Sequence, residues 1–371
     1  MSIDSKIYHF YSHTRPGGGP PGYLHNINNL DSEKISVIVE HKSTTRTAIS
    51  NSDSSWLSEL MLLVRDISYI FRTDNPESLT SIEGGKIIFH SVTHASRYIN
   101  AFGKKRRNEI YYMSHSPVPT SIEWSRVMRS PLLRFLRRKV IEYLEIKVLS
   151  SITGVICPNF NALDGYYSQN TPMRRVLDNA KIIEIPTGCK KITPIKSSSQ
   201  VRAELGIGED EFVVSYLGRY NHDKGYENFK NIVENTKHKN IKFISAGLGE
   251  LDVCNNENYM DLGWRTDAPD IINASDIVIV PNNVAYFDLI ILECMSIGKR
   301  VITTYVGGSK QLVKGSVEYL YFDCEDTLSE QFDALISKGV KLDRNFIEEI
   351  FDREYSIEAF KNNLEEKLAN E

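Results

Sequence analysis

β-like and helix-like segments alternate along almost all of the 371 residues, and the alternation restarts once. The first series of strands reads "KIYHFYS", "KISVIVEH", "KIIFHS", "EIYYMSH", "GVICPN" and "KIIEIPTG". Helical stretches lie between them, notably "SSWLSELMLLVRDISYIFR" and "PLLRFLRRKVIEYLEIKVLSS". Strands that alternate with crossover helices pair in parallel, so this pattern constrains the chain to an α/β architecture. The stretch "CKKITPIKSSSQVRAELGIGEDE" has little apolar periodicity and reads as a linker followed by a short helix. Beyond it come "FVVSYLG", "IKFISAG", "NYMDLG", "DIVIVP", "RVITTYVG" and "EYLYF", then a last helical segment, "SIEAFKNNLEEKLAN". The expectation is two Rossmann-like domains, 1–195 and 196–350. Residues 351–371 form a C-terminal helix able to pack back on the first domain. Ligands of such sheets bind at the carboxyl ends of the strands, so a shared ligand is expected in a cleft between the domains.

Composition narrows the class. Hydrophobic and charged contents of 41% and 25% are those of an ordinary globular protein, and a net charge of -4 gives no reason to expect nucleic acid. The chain begins in a charged, strand-like segment rather than a signal-peptide pattern, and "DIVIVP" and "LIILECM" are too short to span a bilayer. Five scattered cysteines without a C-x-x-C pair point to reduced thiols, hence to a cytoplasmic protein without a zinc site. No H-E-x-x-H and no D-x-D after a strand is present, so neither a metal nor a resident cofactor is expected.

"HTRPGGGPPGYLHNI" places Gly17, Gly18, Gly19 and Gly22 between the first strand and a helix. Gly17, Gly19 and Gly22 fit G-x-G-x-x-G, with Glu40 as a possible ribose acid. Four residues separate strand and first glycine, however, and Pro20 and Pro21 remove amide donors a pyrophosphate would use. From these residues alone the loop is open between a dinucleotide site, a ligand-free turn and another ligand-facing loop.

The second half carries the sharper signals. In "YLGRYNHDKG", Gly218 ends the strand, and Arg219 and Lys224 stand on one strand-end loop. A planar arginine fork and a lysine point charge suit a diphosphate; a solvated surface turn is the plainer alternative. "FISAGLGE" ends a strand in Gly247, where backbone can approach a ligand. "FDLIILECM" opens a helix whose first amides, at Leu289 and Ile290, can face an anion. Glu293 sits in its apolar stretch and needs a partner or a role.

In this order, from Glu211 to Gly308, the motifs resemble those of the retaining nucleotide-sugar glycosyltransferases of family 4, which have the glycosyltransferase B fold. The resemblance extends more weakly over the first half, through the glycine loop, "IIFHSVTH", "IYYMSHSP" and "KIIEIPTG". It implies that Arg219 and Lys224 bind the donor diphosphate, that Glu293 holds the ribose, and that His115 lies near the donor sugar. The glycine loop, Gly17 to Gly22, would approach the phosphates or the acceptor. His115 can equally be a satisfied structural histidine, and for His90 and His94 the structural reading is favoured. One departure matters. The first glutamate of the family's E-x7-E motif is replaced by Ala285, and Asp288 stands where a glycine is usual. Asp288 is expected to replace the missing sugar contact, with a helix cap as its alternative role. A smaller departure is Thr187, where Asn-Gly is common.

The implied activity is a metal-independent hexosyl transfer from a nucleoside diphosphate sugar to a glycan or lipid-linked glycan, in surface polysaccharide synthesis. A non-catalytic partner subunit and a sugar-nucleotide epimerase of the same fold are the alternatives. Arg129, Arg134, Arg137, Arg138 and Lys139 give one helix a basic character, read either as a peripheral membrane contact or as a solvated face.

Overall fold

The computed structural model describes residues 6–15, 19–30, 32–40, 56–105, 108–168, 172–339 and 343–369. The chain divides into two units. The first joins Met1–Ile185 to Lys361–Glu371; the second is Pro186–Phe360.

Each unit is built on a six-stranded sheet, and every strand pair in both is parallel. In the first unit the strands are β1 (Ile7–Tyr11), β2 (Ile35–Val39), β3 (Lys86–Phe89), β4 (Glu109–Met113), β5 (Gly154–Cys157) and β6 (Ile182–Glu184). In the second they are β7 (Phe212–Leu217), β8 (Ile241–Ala246), β9 (Tyr259–Asp261), β10 (Ile277–Val280), β11 (Arg300–Thr304) and β12 (Glu318–Leu320). All lie within the segments read as strands from the sequence. The chain thus has the doubly wound α/β architecture expected of it.

Burial explains why these segments are so legible. "KIIF", "GVIC" and "IVIV" are buried at every position. A parallel sheet is covered on both faces by its crossover helices, so its strands lack the polar alternation of a half-exposed sheet.

Strand order fixes where a ligand can sit. The first sheet runs β2-β1-β3-β4-β5-β6, and the order reverses between β1 and β3. The second, β12-β11-β10-β7-β8-β9, reverses between β7 and β10. At such a switch point the crossover chains leave in opposite directions, and a crevice opens beyond the carboxyl ends of the two strands.

Residues 186–195, irregular in backbone, are tied into the second unit. Cys189 donates its amide to Tyr355 O at 3.0 Å, Ile192 to Ser296 Oγ at 3.2 Å, and Ile195 to Asp270 Oδ1 at 2.6 Å. The last helix, Ile357–Ala369, begins in the second unit and ends in the first, where Ser32 donates to Glu365 at 2.7 Å.

Within the first unit a buried ion pair joins two helices. Arg137, on the helix Pro131–Leu149, donates to Asp66 at 2.7 Å, and Asp66, on the helix Trp56–Ser68, is 0% exposed. Arg137 also donates to Trp124 O at 2.6 Å. Arg65 also pairs with Asp66, at 2.8 Å, but removing Asp66 leaves Arg137 charged and buried without a carboxylate partner. Asp66→Ala should therefore lower unfolding stability by about 3–5 kcal/mol. The paired change Asp66→Leu with Arg137→Met should recover most of that loss. Urea denaturation of the three proteins checks both, and equal losses would show that the pair is not what holds the helices.

Candidate functional site

At the second switch point the loop after β7 is closely held. Tyr216 donates its hydroxyl to Arg219 O at 2.7 Å and to Lys224 O at 3.2 Å. The Lys224 amide donates to Asn221 Oδ1 at 2.9 Å, and Tyr220 stacks on Tyr226 with ring centroids 4.1 Å apart. Gly225 has φ 62°, and a Cβ there would stand 1.7 Å from Pro281 O. Only glycine permits that approach, which ties the loop after β7 to the loop after β10.

The contact brings Lys224 and Asp288 together. Lys224 Nζ forms an ion pair with Asp288 Oδ1, and Asn282 Nδ2 donates to Asp288 Oδ2. Asn282 is itself buried, its carbonyl accepting from Thr304 Oγ1 at 2.6 Å. Asp288 occupies the N-cap position of the helix Leu289–Met295, yet its side chain makes no capping hydrogen bond. Lys224 and Asn282 engage the carboxylate instead. Arg219 is exposed on the same loop, and among the described residues no carboxylate pairs with its guanidinium.

Leu289 and Ile290 form the first turn of that helix, and Glu293 lies one turn further on. Burial pushes the Glu293 carboxyl up to about 7. Among the described residues none donates a hydrogen bond to it, while its backbone carbonyl accepts from Ser296 at 2.7 Å. Gly247 is pressed against Gly218: a Cβ on Gly247 would stand 1.8 Å from Gly218 O. Its glycine is thus required by the packing of two strand ends, apart from any ligand. A cavity at the opposite, amino ends of these strands, lined by Phe212, Asn240, Lys299 and Arg300 among others, is a poorer anion site. Arg300 is held by Glu318 at 2.6 Å, and Lys299 by the carbonyls of Asn273 and Ser275.

The first switch point carries histidines. His9 Nδ1 and His90 Nε2 are hydrogen-bonded at 2.9 Å, and His90 Nδ1 and His115 Nε2 at 2.8 Å. The three come from β1, the end of β3 and the end of β4, and Tyr23 packs edge-on against His115 with centroids 4.9 Å apart. Burial lowers His9 and His115 to about 3 and holds His90 well below the ordinary histidine value, and the neighbouring rings add repulsion at His9 and His90. Each neutral ring has one N–H and one bare nitrogen, so one tautomer sets the other two. His9 Nε2 is buried with no partner among the described residues. A bare acceptor there is tolerated better than an unpaired N–H. This network assigns His9 Nδ1–H to His90, His90 Nδ1–H to His115, and an N–H to His115 Nδ1. His9, inside a strand, escapes sequence reasoning; its one signal is a polar residue among aromatics in "YHFY".

Gly17 and Gly18 lie outside the described residues. Gly19 begins the helix Gly19–Asn28 with φ 73°. Glu40 is buried and engaged by Arg97 at 2.9 Å and His94 at 3.3 Å. Burial raises its carboxyl, but these two hydrogen bonds more than offset that and hold it well below the usual range. A carboxylate so occupied is a poor ribose acceptor, which removes the ribose acid that a dinucleotide site would need. No group of three or more His, Cys, Asp or Glu is placed to hold a metal among the described residues.

Comparison with known proteins gives these sites a family context. Residues 211–338 match the family described as Glycosyl transferases group 1. A curated relative, the UDP-Gal:alpha-D-GlcNAc-diphosphoundecaprenol alpha-1,3-galactosyltransferase of Escherichia coli, is 28% identical over 204 residues, which are 50% of this chain and 51% of that one. The chain spans about half the length, or less, of the curated relatives it matches. Among solved structures, HepE of Anabaena in complex with UDP superposes with a TM-score of 0.63 at 16% identity, over 99% of this chain and 100% of that one. The lipopolysaccharide outer core galactosyltransferase WaaB in its apo form gives 0.60 at 13%, over 98% and 99%. The stretch that matches this family lies within the second unit, and the chain has the glycosyltransferase B fold.

The histidine chain makes a checkable claim. The rings of His9, His90 and His115 should keep neutral-imidazole ¹⁵N shifts from about pH 8 down to about pH 5. Their folded values lie below the unfolded 6.5, so the unfolded chain takes up protons that the folded one refuses. This contribution to stability is full above about 6.5 and is lost as pH falls toward about 3. Glu145 and Glu293, raised to about 7, act in the opposite sense over the same range. The informative comparison is therefore wild type against His90→Gln, whose stability should fall less steeply between about pH 6.5 and 5. Identical slopes would remove the histidines from the acid response.

Proposed function

We propose that this chain is a retaining glycosyltransferase of family 4 that moves a hexose from a nucleoside diphosphate donor to a hydroxyl of a glycan or lipid-linked glycan. The observation that carries the reading is the Lys224–Asp288–Asn282 cluster at the second switch point, with Arg219 on the same loop and the desolvated Glu293, without a hydrogen-bond donor among the described residues, one turn beyond. The names of the relatives favour a UDP-sugar as donor, and that of the Escherichia coli relative favours a diphospholipid-linked acceptor. Work on the inner face of a cell membrane, in polysaccharide synthesis, fits such an acceptor.

In this reading the side chains stabilise a leaving group. Arg219 and Lys224 take up charge developing on the diphosphate as the bond from the sugar's anomeric carbon breaks. The first amides of the helix, at Leu289 and Ile290, add to that, as do the Gly218 and Gly247 strand ends by admitting the backbone closely. Glu293 hydrogen-bonds the ribose hydroxyls, which supply the partners it otherwise lacks. The family resemblance assigns His115 to the donor sugar, and the glycine loop, Gly17 to Gly22, to the phosphates or the acceptor. The departing phosphate oxygen accepts the acceptor proton as the acceptor oxygen bonds to the same face of the anomeric carbon. No protein nucleophile and no metal is required. Asp288, held by Lys224 and Asn282, keeps a lone pair on each oxygen for a sugar hydroxyl and replaces the glutamate absent at Ala285.

Two experiments test this. With a panel of UDP-sugars and a lipid-linked acceptor, Arg219→Ala and Lys224→Ala should each lower turnover about 10²-fold, and EDTA should leave the wild-type rate unchanged. Near-normal turnover in both variants would sink the diphosphate assignment, and a rate abolished by EDTA and restored by Mg²⁺ would sink metal independence. Separately, Asp288→Asn should bind free UDP at least as tightly as wild type, because Lys224 is released, while transfer falls by about tenfold or more. Unchanged transfer would confine Asp288 to holding Lys224. A wild type that binds UDP but consumes no donor would favour a non-catalytic partner subunit.

A further inference from the structure

The helix Trp56–Ser68 is inside out. Its buried positions are Ser58, Glu59, Leu63 and Asp66, one stripe of helical spacing, and two of the four are acids. Glu59 accepts from the amides of Arg129 at 2.8 Å and Ser130 at 3.1 Å, and Asp66 pairs with Arg137. The opposite stripe is apolar and exposed: Trp56 at 66%, with Leu57, Leu60, Met61, Val64 and Ile67. Phe71, just past the helix end, is 76% exposed and extends it. A helix on a water-facing surface has the reverse arrangement.

The helix packed beside it, Pro131–Leu149, repeats the inversion. Leu132, Phe135, Leu136 and Tyr143 are exposed and share one face by their i, i+3, i+4 and i+11 spacing. Both acids of this helix, Glu142 and Glu145, are buried. Between Arg126 and Tyr143 the exposed charges are all cationic: Arg126, Arg129, Arg134 and Lys139. Two adjacent helices thus turn four carboxylates inward and present apolar side chains with arginine and lysine outward.

We propose that this surface docks on an anionic lipid bilayer. The apolar stripes enter the boundary between headgroups and acyl chains, and the cations meet the lipid phosphates. Charge decides between the occupants. A second copy in a two-fold contact would set these cations against themselves, whereas an anionic headgroup layer complements them. No helix among the described residues is long and apolar enough to cross a membrane, so the contact lies along the surface. The inference does not depend on the transfer reaction, and its test reads no activity.

The full chain is floated with phosphatidylcholine vesicles made with or without phosphatidylglycerol. It should float with the anionic vesicles at low salt, be partly released at high salt, and stay behind with phosphatidylcholine alone. Met61→Ser combined with Phe135→Ser, both at exposed positions, should reduce flotation about tenfold or more with an unchanged circular dichroism spectrum. Arg129→Gln with Lys139→Gln should remove the salt-sensitive part. No flotation of wild type with anionic vesicles at low salt would overturn the proposal. So would flotation that survives Met61→Ser/Phe135→Ser. A wild-type dimer in sedimentation velocity that this double variant dissociates, without vesicle binding, would assign the face to a second copy.

Discussion

The meeting of Gly225 and Pro281 is the constraint on which the second unit's site depends. The two backbones pass so closely that no side chain fits between them. They belong to loops that follow β7 and β10, strands adjacent in the sheet but separated in the chain by β8 and β9. Lys224 precedes the glycine and Asn282 follows the proline, so the crossing carries both to Asp288. A cation that projects from a strand-end loop would ordinarily be mobile and well solvated. Here its carbonyl, its amide and its ammonium are each engaged, which holds the side chain in one place.

In both units a polar cluster gathers at a switch point, drawn largely from the carboxyl ends of strands there. The reason is common to them. The crossovers leave in opposite directions there, so a crevice opens beyond the strand ends. The chemistry differs. The second unit gathers a lysine, a carboxylate and an amide, which suits charge. The first gathers three imidazoles that burial keeps neutral, which suits hydrogen bonding without charge. Because the rings are linked in series, the proton position on the outermost histidine depends on one buried in the sheet.

The strands were legible because parallel sheets demand uninterrupted apolar runs and leave punctuation at their ends. The loop with Arg219 and Lys224 was legible for a related reason: it follows such a run directly. Asp288 was legible as a departure from a motif, but its partners were not. Asn282 lies in "VPNNV", where an asparagine reads as a turn residue. His9 was hidden because a histidine inside a strand gives no sign of which face it takes or what meets it there. Glu40 fitted a fingerprint by its spacing alone, and only the fold showed that Arg97 and His94 already hold it.

The helix Trp56–Ser68 marks the boundary between the two kinds of knowledge. Its sequence determines that one stripe is apolar and another acidic, because 3.6 residues per turn sort the side chains by position. It does not determine which stripe faces the protein, since the same period serves a helix turned either way. The neighbouring helix decides it: Arg137 and the amides of Arg129 and Ser130 draw Asp66 and Glu59 inward, and the apolar stripe is left outside. The sequence by itself determined two parallel sheets and the loops that end their strands, since those follow from local periodicity and chain punctuation. Only the tertiary structure decided which charges are paired, which rings share a proton chain and which apolar face is uncovered. Each of those depends on residues distant in sequence meeting at contact distance.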